Sequence, residues 1–219
     1  MLRLLFEKKG RSVWISHLDL MRLFQRAFKR AGVPLTHTQG FNPRPSVSIA
    51  LPLSVGIESQ CELLDFELAS CDASTDEIRD RLNDSLVDGV RVIDVYENGS
   101  KIRDLCYLKC QIVLEYDKDI TDRCVEGLQS LFATECVVVP KKTKNGVQDQ
   151  NIASMIQRIS FVKTSDREVV CHCTICCQNP TLNPAQIPLA IEKYCPEWKA
   201  DFCRIIRLEI LDQNFEVFR

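Results

Sequence analysis

The chain has 219 residues, 45% hydrophobic and 26% charged, with a net charge of −2 and twelve cysteines. These values describe one large or two small globular domains, and exclude a collagen-like, low-complexity or highly charged disordered chain. No apolar run approaches the ~20 residues that a bilayer span needs. The N-terminal MLRLLFEKKG places its charges after a very short apolar run, unlike a secretory signal. Many cysteines without such a signal point to a reducing cytoplasm, with thiols free or bound to metal. Charge is unevenly placed. Residues 1–50 hold nine Lys/Arg against two acids, and residues 51–104 hold five against thirteen. That asymmetry predicts either a localised electropositive face or mutual neutralisation of the two segments.

In chain order, LRLLFE (2–7) reads as a strand and KKGR as a turn. Ser16 is an expected N-cap, with Asp19 three residues on. Met21, Phe24, Phe28 and Ala31 form the expected buried stripe of a helix, with Arg22, Arg26, Lys29 and Arg30 opposite. Gly32 and Pro34 stop it. SVSIALPL and CELLDFEL (61–68) read as strands, STDEIRDRLNDSL (74–86) as a helix and VRVIDVYE (90–97) as a strand. The order βαββαβ is that of a ferredoxin-like unit.

A second α+β pattern follows: strand 106–116, helix 120–133 and strand 136–140. KKTKNGVQDQN reads as a polar loop, and RISFVKT with EVVCHCTICC as a hairpin around SDRE. NPAQIPLAIEKY reads as a helix with Pro184 at its first position, kinked or delayed by Pro188. CRIIRLEIL (203–211) is the last long strand. The expected architecture is therefore α+β, two tandem ferredoxin-like units, residues 1–102 and 103–219.

The stretch TQGFNPRPSVSIALPL (38–53) is the most distinctive. Pro43 and Pro45 fix φ and push Asn42 and Arg44 toward extended backbone, while Gly40 permits a turn that other residues resist. A stiffened arginine loses less freedom on binding, and its planar fork suits phosphate or carboxylate. Gln39, Phe41, Asn42 and Arg44, with Arg22, Arg26, Lys29 and Arg30 of the helix, are the candidate RNA- or anion-binding residues. Phe41 stacks on a base or fills the core. The competing expectation is a structural turn with solvated arginines.

The segment with Ser16-His17-Leu18-Asp19, Gly40-Phe41-Asn42-Pro43-Arg44-Pro45 and Leu51 to Ser59 resembles the radical-SAM-associated (radical-SAM-linked) protein family, a domain of unknown function. The likeness is specific over roughly residues 1–70. Relatives often carry His where this chain has Arg44. The Cys-x3-Cys-x2-Cys motif of the radical enzymes is not in the sequence. The resemblance implies a non-catalytic accessory subunit whose partner is a radical SAM protein, with RNA as the context. No cofactor is implied for this chain, and nothing points to DNA.

Two other chemistries compete. His17 and His37 are the candidate acid–base pair of a metal-independent endoribonuclease or RNA-modifying enzyme. Cys171, Cys173, Cys176 and Cys177, with His172, are the candidate metal ligands. In a strand, Cys171, Cys173 and Cys177 face away from His172 and Cys176, which favours core packing over one tetrahedral site. A protein–protein adaptor is a further alternative.

Overall fold

The computed structural model of the chain describes residues 1–70, 72–97, 99–143 and 146–219. It is a mixed α+β protein that divides into two compact units, residues 1–104 with 218–219, and residues 105–217.

The first unit runs β1 (Leu2–Lys8), α1 (His17–Arg30), β2 (Val47–Ile49), β3 (Ile57–Phe66), α2 (Thr75–Ser85) and β4 (Val90–Glu97). β1 pairs antiparallel with β3 on one side and β4 on the other, and β2 pairs antiparallel with β3. The first and third strands are thus neighbours, as they must be when a helix carries the chain past one strand position. A short 3-10 turn (Gly10–Trp14) brings the chain to α1. Buried Lys8 holds that turn, donating its ammonium hydrogens to the carbonyls of Val13 and Ile15, both at 3.2 Å. Ser16 caps α1 by accepting from the Asp19 N–H. The helix packs through Phe24 on Phe6 (ring centroids 4.7 Å apart) and through Phe28 on Phe66 (4.8 Å).

The buried stripe of α1 is Leu20, Phe24, Ala27 and Phe28. The expected Met21 and Ala31 are only half-buried. A 3.6-residue period fixes the width of an apolar face but leaves its centre free by one residue, and the two Phe–Phe contacts set it here. β3 also departs from simple alternation, because Cys61 through Leu64 are all buried.

The second unit runs β5 (Leu105–Glu115), α3 (Asp122–Phe132), β6 (Val138–Thr143), β7 (Gly146–Asn151), β8 (Ile156–Ser165), β9 (Glu168–Cys176), α4 (Gln186–Tyr194) and β10 (Phe202–Asp212). β5 pairs antiparallel with β10 and β9, and β9 pairs antiparallel with β8. The polar stretch expected as a loop is instead a two-stranded hairpin, β6 with β7, while Lys144 and Asn145 lie outside the described residues. β7 is almost wholly exposed. Its backbone bonds form the pairing, so no apolar alternation marks it in the sequence. α4 starts at Gln186, which puts Pro188 in the first turn, where its missing N–H leaves no helical bond unmade. Among the described residues no helix is long and apolar enough to cross a membrane.

Candidate functional site

Residues 35–47 form a narrow antiparallel loop. Leu35 bridges to Leu68 and His37 to Pro45. The Thr38 N–H donates to the Arg44 carbonyl at 2.8 Å, and the Arg44 N–H donates to Thr38 Oγ1 at 3.0 Å. Proline at 43 and 45 costs this ladder nothing, because the donors it uses belong to Thr38, Arg44 and Ser46. Gly40 turns the tip at a φ of 136°. The tip residues Gln39, Phe41 and Asn42 are exposed, Phe41 completely so. The core-filling alternative for Phe41 is thereby excluded.

The loop lies along α1. Arg22 and Arg44 line one open groove of about 570 Å³, whose walls are Leu18, Met21, Gln25, Thr38, Pro45 and Val47. A second groove of about 360 Å³ continues past the shared Gln25 and Pro45 to Phe28, Lys29 and His37. Arg22, Gln25 and Lys29 recur at i, i+3 and i+7, so one edge of the helix supplies the polar wall of both grooves. Gln25 is a site residue that the charge pattern passed over, and its spacing from Arg22 and Lys29 is the signal that finds it. Leu18 and Met21 add an apolar floor. Leu18 is an exposed large hydrophobic residue.

Asp65 of β3 and Glu67 just beyond it each have partners of their own. Asp65 accepts from Arg3 Nε at 2.6 Å and from Arg3 Nη2 at 3.1 Å, the arginine buried and the carboxylate largely so. Glu67 accepts from the hydroxyls of Thr36 at 3.2 Å and Ser46 at 3.3 Å. Arg44 makes no ion pair among the described residues. Arg22 pairs with Asp19 at 3.0 Å, and both are well exposed. The Ser16 hydroxyl, followed by Arg22, holds the Asp19 carboxyl below its usual range. An exposed pair of this kind exchanges readily for a competing anion.

Not every expected residue joins the groove. Arg26 is exposed on α1 but lines neither cavity. Arg30 turns away and donates to the Ser85 carbonyl at the end of α2. His17 and His37 are not brought together. His37 borders Gln25, Phe28 and Lys29, at least eight residues along α1 from His17, or about 12 Å of helix. His17 is half-buried at the start of α1, with its Nδ1 unpartnered among the described residues.

The cysteines of CHCTICC occupy core positions. Cys171, Cys173, Cys176 and Cys177 are all buried, and His172 is exposed. Cys171 shares a face with Phe161, its partner across β8, and Phe161 packs on Phe132 of α3. Hydrogen bonding to Cys173 and then burial push the Cys171 thiol up, and burial pushes Cys177 up to about 12. Hydrogen bonding to Cys110 and then to Cys171 pushes Cys173 the other way, down from the usual thiol range. Among the described residues no group of three His, Cys, Asp or Glu side chains is placed to hold a metal ion.

The sequence matches a class of proteins conserved in bacteria. It belongs to the family described as an uncharacterized protein conserved in bacteria (DUF2344), which matches residues 1–184. No curated protein matches the sequence. The backbone is similar to that of a chain in the crystal structure of a Cbf5-Nop10-Gar1 complex. There the TM-score is 0.53 and the identity 7%, over 95% of this chain and 48% of the other. It is similar again to a chain in the structure of an H/ACA RNP bound to a substrate RNA containing 2'-deoxyuridine. That TM-score is 0.50 with 7% identity, over 98% of this chain and 48% of the other. The chain thus spans about half the length of the chains it matches, and at such identity the likeness is one of fold alone.

Proposed function

We propose that the protein is a cytoplasmic accessory subunit of a radical SAM enzyme, and that the groove between α1 and the 35–47 loop binds RNA. In this reading each unit is ferredoxin-like, its first and third strands adjacent and its helices on one side. The observation that carries the proposal is the placement of Arg22 and Arg44 on opposite walls of one groove. Phosphate is the ligand such a groove favours, since two arginines line it and no carboxylate pairs with Arg44 among the described residues. The fully exposed Phe41 at the loop tip offers a ring on which an unpaired base stacks. One solved structure of like fold is titled as an H/ACA RNP bound to a substrate RNA. RNA enters here on the charge and exposure of this chain's own side chains. The radical SAM partner rests on the sequence resemblance over residues 1–70.

The test is RNA binding across a salt series, comparing the wild type with an Arg22→Ala/Arg26→Ala/Arg44→Ala variant. Each phosphate contact removed flattens the slope of log K against log salt by about 0.7 for a single strand. The variant is expected to bind at least tenfold more weakly with a shallower slope. Equal affinity and an equal slope for both proteins sink the groove. Capture of a radical SAM protein from native lysate with no RNA, the wild type showing no salt-dependent binding, supports the adaptor reading instead.

A further inference from the structure

The sheet of the second unit has one face covered by its helices. Cys124 and Leu128 of α3 and Ile187 and Ile191 of α4 are buried, and Phe132 stacks on Phe161. Alternate residues must turn to the other face, and the pairing shows which they are. In one cross-strand row Lys109 lies opposite Thr174, which lies opposite Arg158. In the next row Gln111 lies opposite His172, which lies opposite Ser160. Lys109, Arg158, Ser160 and His172 are all exposed. With Thr174 they line a shallow cavity of about 460 Å³. Lys109 and Arg158 stand two strands apart, or about 10 Å between backbones.

Arg158 is preorganised. Its guanidinium carbon lies 5.5 Å from the centre of the Phe215 ring, and Phe215 stacks parallel on Tyr107 at 4.5 Å. Phe215 sits at a φ of +63°, a left-handed conformation that strains a residue with a Cβ. Asp212 maintains that turn, one carboxylate oxygen accepting from the N–H groups of Asn214 at 2.8 Å and Glu216 at 3.0 Å. The strained turn thus fixes the ring that positions the guanidinium. Glu209 lies opposite Lys109 across β10, and its carboxylate accepts from the Ile210 N–H at 3.3 Å. Neither Lys109 nor Arg158 has an ion pair among the described residues.

We propose that this open sheet face is a second binding site, and that it takes a nucleotide unit, free or as one residue of a single strand. Arg158 and Lys109 hold the phosphate, while the sugar and base lie over the row of Gln111, His172 and Ser160. A cavity of this size falls within the range that accepts a ligand of nucleotide size. The exposed His172 imidazole, in the row beside the two cations, favours a flat base over an acidic peptide. The site lies wholly in the second unit, and stands whether or not the α1 groove binds RNA.

The test uses the full chain, with UMP and a labelled single-stranded ten-residue oligouridylate as separate probes. Wild type is compared with Lys109→Ala/Arg158→Ala, with Arg158→Lys, and with Arg22→Ala/Arg44→Ala as the groove control. All substituted side chains are exposed, and circular dichroism checks that each variant is folded. The double variant at 109 and 158 is expected to weaken the bound probe at least tenfold, and Arg158→Lys by less. Amide shifts at Lys109, Arg158 and His172 accompany binding. UMP binding that the groove control leaves unchanged identifies a free nucleotide site. Loss of the oligonucleotide alone, with the same amide shifts, identifies a residue of a strand. If neither probe is weakened by the 109/158 variant, or the groove control alone removes both, the proposal is overturned.

Discussion

Burial at single residues sets how this protein responds to alkali. Cys177 is 6% exposed, and burial pushes its thiol up to about 12 from an ordinary value near 9. Between those two values the unfolded chain has lost this proton and the folded chain keeps it. The folded state then binds more protons, so stability falls as pH rises. The stability contributed by the neutral thiol is whole below pH 9 and declines above it, by at most about 1.4 kcal/mol per pH unit. Urea unfolding at pH 8, 9 and 10 is expected to show this decline, and Cys177→Ala to reduce its slope. A slope unchanged by that substitution removes Cys177 from the account.

At the scale of elements, two helix starts with the same kind of residue differ in what the cap does. Ser74 and Glu77 make a reciprocal capping box at α2, whereas Thr121 at α3 makes no side-chain capping bond. Ser74→Ala is expected to destabilise by about 1 kcal/mol and Thr121→Ala by much less, as read in chemical denaturation. α3 also carries Gly127 in its interior, where glycine alone weakens a helix. A Cβ built there would overlap the Trp198 ring. Gly127→Ala is therefore expected to lower the thermal midpoint rather than raise it, by a loss of roughly 1–3 kcal/mol. A rise would mean that the indole moves aside freely.

Across the whole molecule the chain end returns to the first unit. Phe218 is buried, the Arg3 guanidinium lies 5.6 Å from its ring, and the Arg219 carbonyl accepts from the Ser100 N–H at 2.7 Å. Chain order alone leaves 218–219 with the second unit, because two residues after a strand carry no pattern of their own. Deleting Phe218 and Arg219 is expected to cost the first unit about 3 kcal/mol, the usual loss for a buried Phe. Amide hydrogen exchange is expected to quicken in β1 and β4 more than in β8 and β9. Uniform quickening, or none, contradicts that assignment.

Local chemistry made much of this legible. Ser16 before an apolar helix, Ser74 with Glu77, and the runs of β1, β4 and β5 carry their signals within a few residues, so their elements follow from the sequence. The stiff loop around Arg44 was readable too, since proline and glycine act on their own backbone. Contacts distant in sequence were not. Only the tertiary structure puts Arg44 across a groove from Arg22, turns Arg30 toward Ser85 and occupies Asp65 with Arg3. It alone separates His17 from His37 and sets Lys109 and Arg158 in one row. A residue's propensities are written in its neighbours along the chain, while the partners that decide its chemistry are chosen by strand register and helix rotation, which no local pattern encodes.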